Sequence, residues 1–340
     1  MTLKDIAEKA EVSVSTVSRV LNSPDNSFAR KEVRDRIWKV VQENGYIPNQ
    51  NAKALKQGNF TKSQSGALSC ILGRVNDLED NPFFEQLGRV IEQRAMQKAY
   101  PLRNFCSSMD EKALEGLKFS QIDGVLVLGR LKQKTISFLE KQIKNRIYIG
   151  RNPIEAKWDQ ILCDGYEAAQ IALEYLISMG HRRIAYLGEI VNEVRYRAYL
   201  DLVKKYKLDD DKRLVCQNPQ NGTGGVCGLD QLLTADIPLP SAIFCATDVL
   251  VLSVLKRLRV EKIKVPEQIS LIGIDNIQDS GYASPMLTTV EMPILEMGSM
   301  AVQVLLSRIQ KQHQLPVKIY FPNKLIIRES VKKMDKWKFY

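Results

Sequence analysis

Between Ser13 and Asn22 the chain reads SVSTVSRVLN, and Ser15, Thr16, Ser18, Arg19 and Asn22 share one face if this stretch is helical. Hydroxyl, amide and guanidinium groups donate hydrogen bonds to phosphates and to base edges. An exposed helical face is ordinarily built from Glu, Lys, Gln and Ala, which form helix better. A face made of Ser, Thr, Arg and Asn points to DNA contact; a small bundle with a solvated face is the bland alternative.

The rest of the chain offers little for catalysis. It has two histidines, His181 and His313, and no nucleophile–base set or paired carboxylates can be assembled around them. The six cysteines (70, 106, 163, 216, 227 and 245) have no metal-ligand spacing, and Cys70, Cys163 and Cys245 sit in apolar, strand-like runs. Buried, reduced thiols in a reducing cytosol are the expectation. GTGGVCG (222–228) lacks the G-x-G-x-x-G spacing and follows no convincing strand, so it reads as the glycine-rich start of a helix. No enzyme activity, metal or cofactor is expected.

With 340 residues, 44% of them hydrophobic and 26% charged, the chain is long enough for two or three domains of ordinary soluble type. Its net charge of +10 favours an anionic partner without naming one. The excess is spread: residues 1–60 hold ten Lys/Arg against seven Asp/Glu. The start, MTLKDIAEKA, carries no apolar signal core and no run approaches membrane-spanning length, so a cytoplasmic protein without membrane contact is expected.

Three short helices must position the Ser/Thr face. Leu3, Ile6, Ala7 and Ala10 recur at helical spacing behind a Thr2 cap. The second helix runs from Val14 to about Leu21 with Ser13 as N-cap and Val14, Val17, Val20 and Leu21 as its buried stripe. The third spans about Lys31 to Glu43 and ends at NGY (44–46). Next comes PNQNAKALKQGNFTKSQSG (48–66), polar, started by Pro and ended by Gly/Ser, which reads as a linker able to form a helical turn or two at Ala52–Leu55.

Beyond residue 67 the pattern becomes β–α alternation. Strands are expected at 67–72, 124–129, 146–150, 183–188, 241–246 and 269–274, with helices such as 83–99 and 168–180 between them. That alternation implies parallel sheets wrapped by helices, in two lobes that hold a ligand near the C-terminal ends of their strands.

Two long segments, LKDIAEKAEVSVSTVSRVLN (3–22) and NGYIPNQNAKALKQG (44–58), closely resemble the headpiece of the lac/galactose repressor family of bacterial transcription regulators. The likeness continues through DNPFFEQLGRVIE (80–92), IDGVLVLG (122–129), CDGYEAAQIALEYLISMGHRRIAYLG (163–188) and VPEQISLIGIDN (265–276). YFPNKLIIRES (320–330) resembles more narrowly the repressors of galactose or β-galactoside operons. The resemblance implies an all-α helix-turn-helix headpiece (1–48), a hinge (49–66) and a two-lobed α/β periplasmic-binding-protein-like effector domain (67–340). The N-lobe would comprise 67–163 and 292–320, and the C-lobe 164–291 and 321–340.

It also implies residue roles. Val14, Ser15, Thr16 and Arg19 would approach bases, while Ser13, Ser18, Asn22 and Tyr46 would fix phosphates. The hinge, with Asn49, Lys53 and a close helix–helix contact at Ala52, would order on operator DNA and wedge Leu55 into the minor groove. Phe83 would stack on a sugar or cap the core. Arg195, in RYRAY, would contact the sugar, with Arg197 as the decoy; Thr247 would offer a hydroxyl, and Asp275 would accept two sugar hydroxyls. Two departures stand out: Glu11 occupies a bend where many members have glycine, and Gly150 stands where many carry aspartate.

The expectation is a homodimeric repressor whose grip on operator DNA is set by a small sugar-like effector. Control by a phosphocarrier protein, or ligand-dependent activation, is the alternative within the family. A sugar-binding transport protein would need a signal peptide and no headpiece, and an α/β enzyme would need a catalytic set.

Overall fold

The computed structural model describes residues 3–22, 30–43, 66–73, 81–117 and 121–334. The chain divides into two units, Met1–Gln64 and Ser65–Tyr340.

In the first unit, α1 (Leu3–Lys9), α2 (Val14–Asn22) and α3 (Lys31–Glu43) enclose one small core of Ile6, Ala7, Ala10, Val17, Val20, Ile37, Val40 and Val41. Val14 is not part of it. Helical spacing alone puts Val14 in register with Val17, but at the first position of α2 it lies outside the three-helix contact and is exposed. The bend between α1 and α2 is left-handed at Glu11 (φ +50°), a conformation costing a side-chain-bearing residue about 1–2 kcal/mol.

The second unit begins with β1 (Leu68–Leu72), α4 (Pro82–Gln97), β2 (Leu102–Ser107), α5 (Glu111–Gly116), β3 (Gly124–Leu128), α6 (Gln133–Gln142), β4 (Arg146–Gly150) and β5 (Asp159–Cys163). It continues with α7 (Gly165–Ser178), β6 (Ile184–Gly188), α8 (Val194–Tyr206), β7 (Val215–Gln217), α9 (Gly222–Thr234), β8 (Ala242–Cys245), α10 (Asp248–Val260), β9 (Ser270–Asp275) and β10 (Thr288–Glu291). After α11 (Ile294–Ile309), β11 (Lys318–Phe321) and β12 (Lys324–Ile326) follow.

Two six-stranded sheets result, ordered β11-β5-β4-β3-β1-β2 and β12-β10-β9-β8-β6-β7. All their ladders are parallel except β10–β12. The central strands are buried on both faces, as helices on each side of a parallel sheet require. The chain crosses between sheets after β5, after β10 and between β11 and β12, so each lobe is assembled from separate segments. Helix α11 packs on α4 and on β3–β5, which returns the chain to the first sheet. Buried Asp159 pins that return by accepting from Arg308, from the Val317 backbone N–H at 2.9 Å and from His313 across 3.1 Å.

The glycine-rich 222–228 segment opens α9, and three of its four glycines, Gly224, Gly225 and Gly228, are packed too closely to admit a side chain. A Cβ on Gly224 would lie 1.9 Å from the Pro219 carbonyl oxygen, and one on Gly225 would lie 2.1 Å from Ser253 Oγ of α10.

Candidate functional site

In the headpiece, Ser13 Oγ accepts from the Thr16 backbone N–H at 3.1 Å and lies 2.8 Å from both Ser15 Oγ and Thr16 Oγ1. Ser13 thus caps α2 and groups three hydroxyls at its start. Val14 and Ser15 are exposed beside them and Thr16 is half-buried. Methyl and hydroxyl groups at a helix N-terminus suit contact with a thymine methyl, a base edge or a phosphate. Ser18, Arg19 and Asn22 belong to the same helix. Tyr46, Asn49, Ala52, Lys53 and Leu55 lie outside the described residues.

In the second unit, residues at the C-terminal ends of strands from both sheets surround a cavity of about 460 Å³. The first sheet contributes Gly129 and Arg130 after β3 and Gly150, Arg151 and Asn152 from β4 onward; α4 adds Phe83. The second contributes Glu189 after β6, Glu193 and Arg195 at the start of α8, and Pro219–Asn221 before α9. Of the expected effector residues, Phe83 and Arg195 line the cavity. Arg197, its neighbour on α8, is exposed, with its guanidinium 5.3 Å from the Tyr166 ring centre.

Arg195 is held on nearly every side. Its Nε and Nη2 donate to Glu193 Oε1 and Oε2 at 2.8 and 2.9 Å, Nη1 donates to the Ala246 carbonyl at 2.6 Å, and Nη2 also donates to Gln220 Oε1 at 2.9 Å. Arg130, from the other lobe, reaches Glu193 Oε2 at 3.3 Å. Burial on its own would raise the Glu193 carboxyl, but Arg195 and Arg130 outweigh it and hold the pKa down at about 2.

Asp275 stands just behind the cavity wall, where its carboxylate receives the Arg151 guanidinium. Arg151 in turn lies over the Phe83 ring, 4.4 Å from its centre, on the face where a sugar was expected. The Asp275 backbone has φ +122° and Asn276 follows at +50°, a strained pair worth about 1–3 kcal/mol per residue. The turn is braced rather than free. Asn276 donates to Glu291 Oε1 at 3.0 Å and accepts from Arg328 at 2.7 Å. Buried Asp248 accepts from the Ile277 N–H at 3.2 Å and from Thr289 Oγ1 at 2.7 Å. Burial, and then Asp275, hold the Asp248 carboxyl well above the usual carboxylate range.

Thr247 is outside the cavity wall. Its hydroxyl caps α10, accepting from the Leu250 N–H at 3.4 Å. At position 150, a Cβ would come 2.2 Å from the Tyr148 hydroxyl, so the tyrosine fills the space that a side chain there would need.

Arg130, Arg151, Glu193 and Gln220 were not singled out from sequence, yet a local signal for the two arginines exists. Each follows a strand-ending glycine, in VLVLGR (125–130) and IYIGR (147–151).

Residues 2–49 match the model of bacterial regulatory proteins of the lacI family, and residues 173–331 match a periplasmic binding protein-like domain. The HTH-type transcriptional repressor CytR of Escherichia coli K12 is 30% identical over 97% of this chain and 96% of its own length. The chain belongs to the lacI family of bacterial regulatory proteins. The HTH-type transcriptional repressor PurR of Glaesserella parasuis serovar 5 is 27% identical over 98% of this chain and 99% of its own. Among solved structures, a lacI-family transcriptional regulator from Enterococcus faecium with bound ribose is 25% identical, covers 79% of this chain and 100% of that one, and superposes with a TM-score of 0.70. The helix-turn-helix headpiece and the two-lobed α/β domain are therefore those of a DNA-binding regulator. No helix among the described residues is long and apolar enough to cross a membrane.

Proposed function

We propose that this chain is a cytoplasmic, homodimeric, sequence-specific repressor whose operator affinity is set by a small sugar-like molecule held between the lobes. The observation that carries the reading is the joining of two parts in one chain. A helix presents exposed Val14 and Ser15 beside the Ser13 cap, and a polar interlobe cavity is built from strand ends of both sheets.

One such helix reads a half-site weakly, so two copies on a pseudo-palindromic operator supply the specificity. The relatives named as transcriptional repressors and the ribose-bound regulator support the direction of control and the class of ligand. Ser13, Ser18, Asn22 and Tyr46 fix phosphates; Val14, Ser15, Thr16 and Arg19 read bases; Asn49, Ala52 and Lys53 order with the hinge, and Leu55 kinks the minor groove. In the cavity, Phe83, Arg195 and Asp275 position the ligand, Asp275 from behind the wall.

Ligand control requires unequal affinity for two lobe arrangements. A wall contributed by both lobes supports such a difference. The test begins with selection of a bound sequence from a random DNA pool by the full-length protein. A thermal-shift screen of sugars follows, and each hit is titrated against the selected DNA. Enrichment of a pseudo-palindrome and a ligand-dependent change in its affinity are expected; no enrichment, or no response to any stabilising sugar, overturns the reading.

A further inference from the structure

The three guanidiniums of the cavity are not equivalent. Arg195 has four donor contacts of the five N–H bonds a guanidinium offers. Arg130 reaches Glu193 and, with the Asn152 amide turned to receive it, Asn152 Oδ1 at 2.7 and 3.2 Å. Arg151 is held more loosely. Its Nε meets only Met292 Sδ at 3.2 Å, a weak acceptor, and Asp275 is its one oxygen acceptor among the described residues.

Most side-chain acceptors on the wall already take at least one hydrogen bond. Glu193 serves Arg195, Arg130 and Gln220; Gln220 Oε1 serves Arg195; and the Oδ1 atoms of Asn81 and Asn221 cap α4 and α9. Those two asparagines still have N–H groups to give and one lone pair on each Oδ1, and α9 starts at the cavity wall with its positive end. Glu189 lies half-buried where the wall is shared with an adjoining cavity. A neutral sugar, whose hydroxyls both donate and accept, would compete for acceptors that are mostly engaged and would leave the guanidinium charges unmatched. A ligand that brings acceptor oxygens finds donors.

The Arg151–Asp275 pair is also the replaceable one. Burial lowers the Arg151 pKa despite Asp275, and burial raises the Asp275 pKa despite Arg151, so the pair does not fully offset its own desolvation.

We propose, building on the sugar-controlled repressor reading, that the effector carries an anionic group, a phosphate ester or a carboxylate, which takes Arg151 from Asp275. The exchange frees Asp275 to accept ligand hydroxyls. It also breaks an ion pair between the residue that follows β4 of the first sheet and the last residue of β9 of the second, which gives the ligand a different affinity for each lobe arrangement.

The test uses the full-length protein and matched probes in titration calorimetry: ribose with ribose 5-phosphate; glucose with glucose 6-phosphate and glucuronate; galactose with galactose 6-phosphate and galacturonate; and inorganic phosphate alone. A charged member of at least one set is expected to bind about tenfold or more tighter than its neutral parent. The phosphate and carboxylate arms tell the two chemistries apart. Arg151→Gln should remove that preference, and Arg151→Lys should keep part of it. Neutral parents binding as tightly as the charged members, a preference that survives Arg151→Gln, or inorganic phosphate binding as well as any sugar phosphate would each overturn the proposal while leaving sugar control intact. If no sugar, charged or neutral, binds or shifts operator affinity, the repressor reading fails and takes this proposal with it. Should Arg151→Gln not fold by circular dichroism, the matched probes on the unmodified protein and on Arg151→Lys still decide.

Discussion

Glu193 and Arg195, separated by one residue at the start of α8, meet through two hydrogen bonds of 2.8 and 2.9 Å, and Arg130 of the opposite lobe joins the same carboxylate at 3.3 Å. One carboxylate therefore fixes a cavity-lining arginine and ties the lobes together. Removing one partner of a buried pair leaves the other charge uncompensated, at a cost of about 3–5 kcal/mol. Glu193→Gln should lower the urea unfolding free energy of the second unit by about that much. A loss below about 1 kcal/mol would show that the network contributes little.

His181 is fully buried, 2.9 Å from Ser241 Oγ through Nδ1 and 3.1 Å from the Lys332 carbonyl through Nε2. Since a carbonyl only accepts, Nε2 carries the proton, and Nδ1 of the neutral ring shares the single Ser241 hydroxyl proton with the Arg183 carbonyl, 3.1 Å from Oγ. Burial depresses the pKa to about 4 from an ordinary value of 6.5. The folded state therefore disfavours protonation, so the stability His181 contributes is complete above pH 6.5 and declines as pH falls from 6.5 toward 4. The stability difference between the unmodified protein and His181→Asn should shrink across that window, by on the order of 2–3 kcal/mol. A difference independent of pH contradicts the assignment.

Glu11 holds a left-handed bend (φ +50°), and its exposed contact to Arg36 at 4.0 Å adds little. Glu11→Gly should stabilise the headpiece by about 1 kcal/mol, the strain relieved less the extra entropy of an unfolded glycine. A thermal melt of the variant that falls below the parent would show that the glutamate makes a larger contribution than its geometry accounts for.

Gly225 lies against α10, where a Cβ would come 2.7 Å from the Leu250 carbonyl oxygen. Gly225→Ala should cost about 1–3 kcal/mol by forcing the two helices apart, read from the denaturation midpoint. An unchanged midpoint would mean that α9 shifts at no cost.

Much of the architecture was legible because parallel strands buried on both faces leave short apolar runs. Strands expected at 124–129, 146–150 and 269–274 are β3, β4 and β9 to within a residue at either end. Strands β2, β5, β7, β10, β11 and β12 were not foreseen, β2 and β11 for a visible reason. LRNFCS and KIYF expose polar residues at the sheet edges, and their apolar signal is correspondingly weak. Arg195 could be picked out from its local context, with Arg197 one turn of choice away. Arg151 and Asp275 meet across 124 positions of sequence, and nothing local announces such a pair. Thr247, expected to offer a ligand hydroxyl, also caps the helix that follows β8, a role its local sequence did not suggest. Val14 shows the limit of periodicity, since a helical stripe does not tell where the neighbouring helices stop.

The central claim is that occupancy of the interlobe cavity alters DNA binding, and one titration tests it. Operator affinity of the full-length protein is measured by fluorescence anisotropy with and without a stabilising ligand, in the unmodified chain and in Asp275→Ala. The account predicts a ligand-dependent change of at least about tenfold in the former, equivalent to about 1.4 kcal/mol of coupling, and its loss in the latter. An equal ligand response in both proteins, or no response in either, would contradict it.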